Sequence, residues 1–589
     1  QSMSFCGSDK TMVNTSAAIA ALCDKVSEWQ MKNMPEYATY SGFKSDDTAL
    51  DPYDLDFYSR RKDLCQEVLD ALEPLKEKDL SHEDFVTMNM LKYYSQIYID
   101  NMKWEPYLFG MNFWEGPDWV FTMNLDRLPF QTETDFHNYI SRLGKLPQAM
   151  DEITNLMKVG IEHSVTHYKT SVDGGGARLR RFTTFKVEDS IFYSPFLKLP
   201  GDIPQETRER LCTEAQEVII SKVYPAFIQA ADFIEQEYMK SCRPQPALSS
   251  LPGGKERYLA YLRFFSDWNG TAEELHELGK QEVNKINKRI EKIKENIGFS
   301  GDNTELLKYL EDKKEFYFDS REEFLKFCDN VINKRIRPKL KEMFFEPPAL
   351  PLRFAVVDVS QPAPAIYNAP KKTSGEHEEQ AGNLNFRNDL QSLPTYMLPS
   401  LMLHEADPGH HMQACYVVND ENLPNFRRYK DDRRYFEGPT RFPLNNAYTE
   451  GWGLYCENLG EEMKVYEDDF EILGYLIQDV KRAIRVVVDT GIHALDWTHE
   501  ESLAYMKKSA PYADSAALGE IKRYTTWPAQ ACSYKVGFWK IISLREKASQ
   551  ALGNKFNIKK FHKACLACGQ VPLYILERII DQYIKEEQP

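Results

Sequence analysis

The chain has 589 residues, 42% of them hydrophobic and 28% charged, enough for several ordinary domains or for one large helical enzyme with two lobes around a cleft. Its formal net charge of −16 argues against a nucleic-acid surface, which needs clustered positive charge. No apolar run approaches the roughly 20 residues of a membrane span, so the chain reads as a soluble protein.

The sequence starts at Gln1 rather than Met and carries two glycosylation sequons, Asn14-Thr15-Ser16 and Asn269-Gly270-Thr271. The expectation is a secreted glycoprotein, with a soluble cytoplasmic protein as the alternative. Eleven cysteines are too sparse for a disulfide scaffold and odd in number, so at least one thiol is free or pairs outside the chain. Cys565 and Cys568 form a single C-x-x-C, which on a helix reads as packing.

Apolar residues at three- and four-residue spacing predict a helix from Ala17 to about Trp29, a loop from Met34 to Asp54, and a second helix to about Leu75. Another helix spans Ser81 to Asn101 with Ser81 as N-cap. Met102 to Phe130 is crowded with aromatics and broken by Gly and Pro, a texture that wraps over helices or lines a cleft. Thr132 to Tyr168 reads as helical. The Gly-Gly-Gly at 174–176 marks a mobile turn, and it lacks the strand and helix flanks of a phosphate-binding loop.

Pro204 to Tyr238 reads as a long amphipathic helix or pair, and Thr271-Ala-Glu-Glu274 is a capping box ahead of a charged helix to about Asn296. A further helix covers Asp319 to Phe345 and ends at Pro347-Pro348. Short β-branched or aromatic runs at Leu352–Val359 and Ala365–Asn368 read as strands of a small sheet. Ser374 to Arg387 reads as a polar loop with an edge strand at Asn383–Phe386. From Leu393 the chain is helical almost to its end. The change of texture divides it into a mainly helical lobe, 1–345, and a catalytic lobe, 346–589, forming one continuous unit.

The densest chemistry lies in Tyr396–Cys415, YMLPSLMLHEADPGHHMQAC. Imidazoles are common metal ligands, and a carboxylate directly after a ligand is placed as a zinc hydrolase places its general base. The usual spacing is H-E-x-x-H, yet the fifth position here is Pro408. On a regular helix His411 would lie about 20° off the face of His404 but about 10.5 Å further along, and His410 about 120° round. Pro408, which clashes with the carbonyl four residues back, and the permissive Gly409 supply a distortion. The expectation is a helix widened by two residues, with His404 and His410 as metal ligands, Glu405 as general base, and His411 turned to substrate or to a supporting role.

Two histidines leave a zinc site needing a third protein ligand. In Tyr448-Thr-Glu450-Gly-Trp452-Gly-Leu-Tyr455-Cys-Glu457 the two glutamates share a helix face among apolar neighbours. Buried carboxylates without a cation are costly, so Glu450 is the expected third ligand and Glu457 the carboxylate that orients a ligand imidazole. Downstream, His493, Tyr524 and Tyr534 are candidate donors to a tetrahedral oxyanion, and Arg523 or Lys535 candidate cations for a substrate carboxylate.

Four ordered motifs carry a resemblance: H-E-A-x-P-G-H-H-x-Q at 404–413, E-G-W-x-L-Y-x-E at 450–457, R-x-x-x-D-x-G-I-H at 485–493 and R-Y-x-x-x-P-x-Q-A-x-x-Y-K-x-G at 523–537. With T-A-E-E-L-H-E-L-G at 271–279 they resemble the DUF 885 family, a domain family of unknown function regarded as related to gluzincin metallopeptidases. The resemblance implies a mainly α, two-lobed metallopeptidase-like fold around a cleft, with a small β-sheet near the active-site helix. It also implies a zinc-dependent hydrolase of short peptides, of oligopeptidase, dipeptidase or carboxypeptidase type. The alternatives are a non-catalytic binding protein that keeps the fold, and a zinc hydrolase acting on a non-peptide amide or another small metabolite.

Overall fold

The computed structural model describes residues 5–77, 80–346, 350–357, 365–371, 381–429, 431, 433–441 and 445–588, the side chains of 5–14 and 126 excepted. Helices carry most of the chain, as the periodicity predicts, and among the described residues one three-stranded sheet interrupts them. None of these helices is long and apolar enough to cross a membrane.

Local signals set many of the helix starts. Ser81 accepts the Asp84 N–H and opens His82–Asn101, while Thr132 and Asp135 form a capping box ahead of Glu133–Glu162. Thr271 and Glu274 do the same for Ala272–Asn296, labelled α1 among the helices that build the cleft. The expected helix at 204–238 is a run of Gln205–Val218 and Tyr224–Gln236 joined by a π-helical turn at Ile219–Val223. The expected loop at 34–54 holds a short helix, Pro35–Ser41, begun by a proline that needs no hydrogen-bonded N–H and stopped by Gly42 at φ 81°.

The strands are Leu352–Val357 (β1), Ala365–Asn368 (β2) and Gly382–Arg387 (β3), in the order β1-β3-β2. β3 runs parallel to β1 and antiparallel to β2, so it is the central strand and not the expected edge. Its alternation explains this: Gly382, Leu384 and Phe386 are buried, with Phe386 edge-on to Phe324 at 4.9 Å. Most of the polar loop expected after Ser374 lies outside the described residues, as does the side chain of Asn14. Asn269 is exposed.

One core runs from Met34 to Ile584, and a smaller cluster joins Ile19, Leu22 and Val26 to Leu64, Val68 and Leu91. The ten described cysteines are free thiols, Cys568 donating to the carbonyl of Cys565.

Five further helices frame the cleft floor: Leu398–Glu405 (α2), His410–Val418 (α3), Asn446–Glu462 (α4), Asp469–Ala494 (α5) and Asp514–Thr526 (α6). Ser533–Leu552 (α7) lies beneath α4. α5 buries Leu473, Val480, Ile484 and Val487, and Gly279 of α1 comes so close that a Cβ there would stand 2.9 Å from Val487. α4 and α7 meet at Gly451 and Gly537, where an added Cβ would be 2.3 Å and 1.7 Å from the opposing backbone. Lys535 of α7, wholly buried, ties three helices by pairing with Asp479 of α5 at 2.6 Å and Glu282 of α1 at 3.1 Å.

Removing this ammonium strands two buried carboxylates beside each other, a change that costs about 3–5 kcal/mol. Lys535→Met is therefore expected to lower the urea midpoint of unfolding markedly, and a midpoint equal to wild type would show that the tie carries no weight.

Candidate metal centre

α2 starts at Leu398 with Pro399 in its first turn, buries Leu398, Met402 and Leu403, and delivers His404 and Glu405 at its last two positions. The expected widened helix is instead an interruption. Ala406 leaves helical geometry (φ −98°, ψ −115°), the Asp407–Pro408 peptide is cis, and a new helix, α3, starts at His410. The chain doubles back so tightly that a Cβ on Gly409 would lie 1.9 Å from the carbonyl oxygen of His404, a space only glycine can occupy. Trp452 Nε1 donates to the carbonyl of Pro408 at 2.9 Å and Arg337 pairs with Asp407 at 2.9 Å, fixing the reversal from both sides.

This reversal brings the His404 and His410 rings to 4.7 Å, nearly perpendicular. Glu450, from the first turns of α4, places Oε2 3.3 Å from Nε2 of His404 and 3.6 Å from Nε2 of His410. One donor atom from each of the three lies within 4.8 Å of the others, and among the described residues no other trio of His, Cys, Asp or Glu converges in this way. Two imidazole nitrogens and a carboxylate suit zinc, and three protein ligands leave a position open.

Glu457, two turns along α4, takes the Nδ1–H of His404 at 2.8 Å on one oxygen and the Ser400 hydroxyl at 2.6 Å on the other. That contact fixes the tautomer and turns Nε2 of His404 toward Glu450. Gly453 makes room for it, since a Cβ there would stand 2.5 Å from the ring. Glu405, half-buried in the cleft wall, has no hydrogen-bonding partner among the described residues.

The electrostatics show what the site lacks. Burial pushes the Glu405 carboxyl up against the pull of His404 and His410. Burial also opposes ionisation of Glu450, but its bonds to His404 and His410 prevail and hold it well below the ordinary range. Burial lowers His404, yet Glu450 and Glu457 outweigh it and raise the ring to about 10. Glu457 also meets the guanidinium of Arg482 at 3.5 Å. An ionised Glu450 thus lies where the donor atoms converge and draws a proton onto His404, and a divalent cation at the same atoms would take that proton's place.

The triad opens on a cleft of about 1000 Å³, lined by Phe113, Trp114, Trp119 and Trp527 and also by Arg523 and Tyr534. The other expected site residues lie elsewhere. His411 is turned to the sheet, bonded to the carbonyl of Leu350 at 2.8 Å and Tyr367 at 3.1 Å. His493 accepts the Leu248 N–H at 3.0 Å through Nδ1, and its Nε2 meets the Tyr524 carbonyl at 3.0 Å, so both ring nitrogens hold backbone. The Tyr524 hydroxyl is spent on Glu520 at 2.6 Å, and Lys535 is the buried tie already described. Each carries a structural load that spacing alone does not reveal. Missed by sequence reasoning were Ser400, Lys481, Arg482 and Glu520. The run Lys481-Arg482-x-x-Arg485 on one helix face was the available signal.

The motif at 485–493 acts as a scaffold. Asp489 accepts the Tyr258 hydroxyl at 2.7 Å and the Ala529 N–H at 2.9 Å, holding the turn between α6 and α7. Burial pushes its carboxyl up to about 7 from an ordinary 3.8, so the folded chain binds this proton more tightly than the unfolded one. Its contribution to stability is full below about pH 4 and is lost as pH rises through 7. Asp489→Asn should accordingly show a smaller drop in unfolding midpoint between pH 5 and pH 8 than wild type, and an unchanged drop would contradict the assignment. If the triad holds zinc, Glu457→Gln should weaken that binding about 10–100-fold, read by competition with a chromogenic chelator.

Comparison with known proteins places this geometry in context. A family model described as "Bacterial protein of unknown function (DUF885)" matches residues 35–580. The crystal structure of a "putative lipoprotein" from Colwellia psychrerythraea superimposes with a TM-score of 0.85 at 25% identity, covering 97% of this chain and all of that one. A "putative lipoprotein of unknown function" from Shewanella oneidensis gives a TM-score of 0.69 at 18% identity over 96% of this chain and 99% of that one, a likeness of fold. No curated protein matches the sequence.

Proposed function

The chain belongs to the DUF885 family, whose description names no activity, and from the side chains themselves we propose that it is a zinc-dependent peptidase acting on short peptides. The observation that carries this reading is the convergence of His404, His410 and Glu450 within 4.8 Å beside a Glu405 that faces the cleft without a hydrogen-bonding partner among the described residues. Two histidines and a glutamate, with a glutamate next to the first histidine, are also what the resemblance to gluzincin peptidases implies. The two-lobed, cleft-centred form of those enzymes belongs to the same reading.

His404, His410 and Glu450 would hold the ion, and zinc there supplies Lewis acidity that polarises a carbonyl and acidifies water. Glu457 keeps the His404 ring in the tautomer that points Nε2 at the ion's position. Glu405, its proton affinity raised by burial, takes a proton from the attacking water at a carboxylate oxygen and returns it to the leaving amine. The aromatic wall offers a surface for apolar side chains. Tyr534, its hydroxyl 3.3 Å from an Arg523 nitrogen and its ring 6.5 Å from that of His404, is the candidate donor to the developing oxyanion.

The test is a digest of a peptide library read by mass spectrometry, with metal content measured on the same sample. Glu405→Gln should retain stoichiometric zinc and lose about 10²–10⁴-fold in turnover, the usual worth of a positioned acid–base group. Full activity in that variant, or wild-type protein that takes up no zinc, refutes the mechanism.

A further inference from the structure

One wall of the cleft gathers more positive charge than its acids can match. Lys481, Arg482 and Arg485 lie on one face of α5, Arg523 comes from α6, and all four line the cleft. Arg485 and Arg523 share the single carboxylate of Glu520, at 3.1 and 3.6 Å. Arg482 reaches Glu457 at 3.5 Å, but that carboxylate already serves His404 and Ser400, and Nε of Arg482 is buried without a hydrogen-bonding partner. Lys481 is half-buried and, among the described residues, has neither carboxylate nor hydrogen-bonding partner, its ammonium lying 4.6 Å from the centre of the Tyr512 ring. Burial first, then Arg482, lowers it to about 8, which still leaves it mostly protonated at neutral pH.

Four cations set against Glu520, an already occupied Glu457 and the Glu405 carboxyl that Arg482 also pulls on make a costly arrangement in a partly desolvated wall unless an anion completes it. Its position is informative. The Tyr534 ring stacks 6.5 Å from His404 on one side and lies 4.7 Å from the Arg485 guanidinium on the other. The basic wall therefore begins one aromatic ring away from the metal ligands, a span of at most about three extended residues. Planar guanidinium forks suit a carboxylate, and an unpaired ammonium supplies a point charge beside them.

We infer that Lys481, Arg482, Arg485 and Arg523 form a subsite for the free α-carboxylate of a peptide, so that the chain cleaves near the carboxyl end of its substrates. This rests on the peptidase reading and deepens it by naming the end of the peptide that is held. Lys481 is the discriminating member, because its charge is not already committed to a carboxylate of the protein.

The probes are N-acetylphenylalanine and its amide, titrated into the full chain by calorimetry with and without prior chelation, alongside kcat/KM for one peptide as free acid and as C-terminal amide. The acid is expected to bind at least 10-fold more tightly than the amide even after chelation, and the free-acid peptide to be cleaved about 10–100-fold more efficiently. Lys481→Met should collapse both ratios toward one, and Lys481→Arg should restore most of them. Equal binding of acid and amide, ratios untouched by Lys481→Met in a variant that melts like wild type, or tighter binding of inorganic phosphate than of the acid overturns the subsite. Peptides cleaved equally as acid and amide would sink the subsite alone and leave the peptidase. An acid held through Lys481 by a chain that hydrolyses no peptide would sink the peptidase reading and leave the subsite.

Discussion

The site depends on one buried carboxylate, Glu457. It has no solvent to stabilise it, and both its oxygens are satisfied by protein donors, the Nδ1–H of His404 and the hydroxyl of Ser400. Because those donors sit on α2 while Glu457 sits on α4, the bond that orients the imidazole also fixes how the two helices meet. Glu450 then needs no separate positioning, since seven residues on a helix return to nearly the same face and carry it to the exposed edge of the ring. The same carboxylate draws in Arg482, so the acidic centre and the basic wall are joined through a single residue.

Much of this was legible in the sequence where the determinants are local. Ser81, Thr132 and Thr271 cap helices because a side-chain oxygen reaches an N–H three residues on, and such signals need no knowledge of the fold. Pro408-Gly409 announced a distortion, but not its form, since a widened helix and a full reversal place His410 in the same neighbourhood. What decided between them was Trp452, 44 residues downstream, holding the Pro408 carbonyl. The polar, loop-like stretch around β3 reads as an edge, and the strand is central because Leu384 and Phe386 on one of its faces are buried.

His493, Tyr524 and Lys535 show the limit of motif reading. Each lies in a patterned stretch and is chemically capable, yet Tyr524 is held by Glu520 four residues back and the other two by partners far away in sequence. Leu248 meets His493 across 245 residues, and Glu282 meets Lys535 across 253. A buried polar residue must find a partner, and whether that partner is substrate or scaffold is settled only by the fold.

The glycine-to-glycine contact between α4 and α7 has a mechanical consequence. With no side chain on either helix at Gly451 and Gly537, backbone rests on backbone, and neither rod can slide or rotate without collision. The bed that carries Glu450 and Glu457 is thereby held in direct backbone contact with α7, while the aromatic lining of the cleft is built of rings that meet edge to face, Trp114 against Trp527 at 5.5 Å.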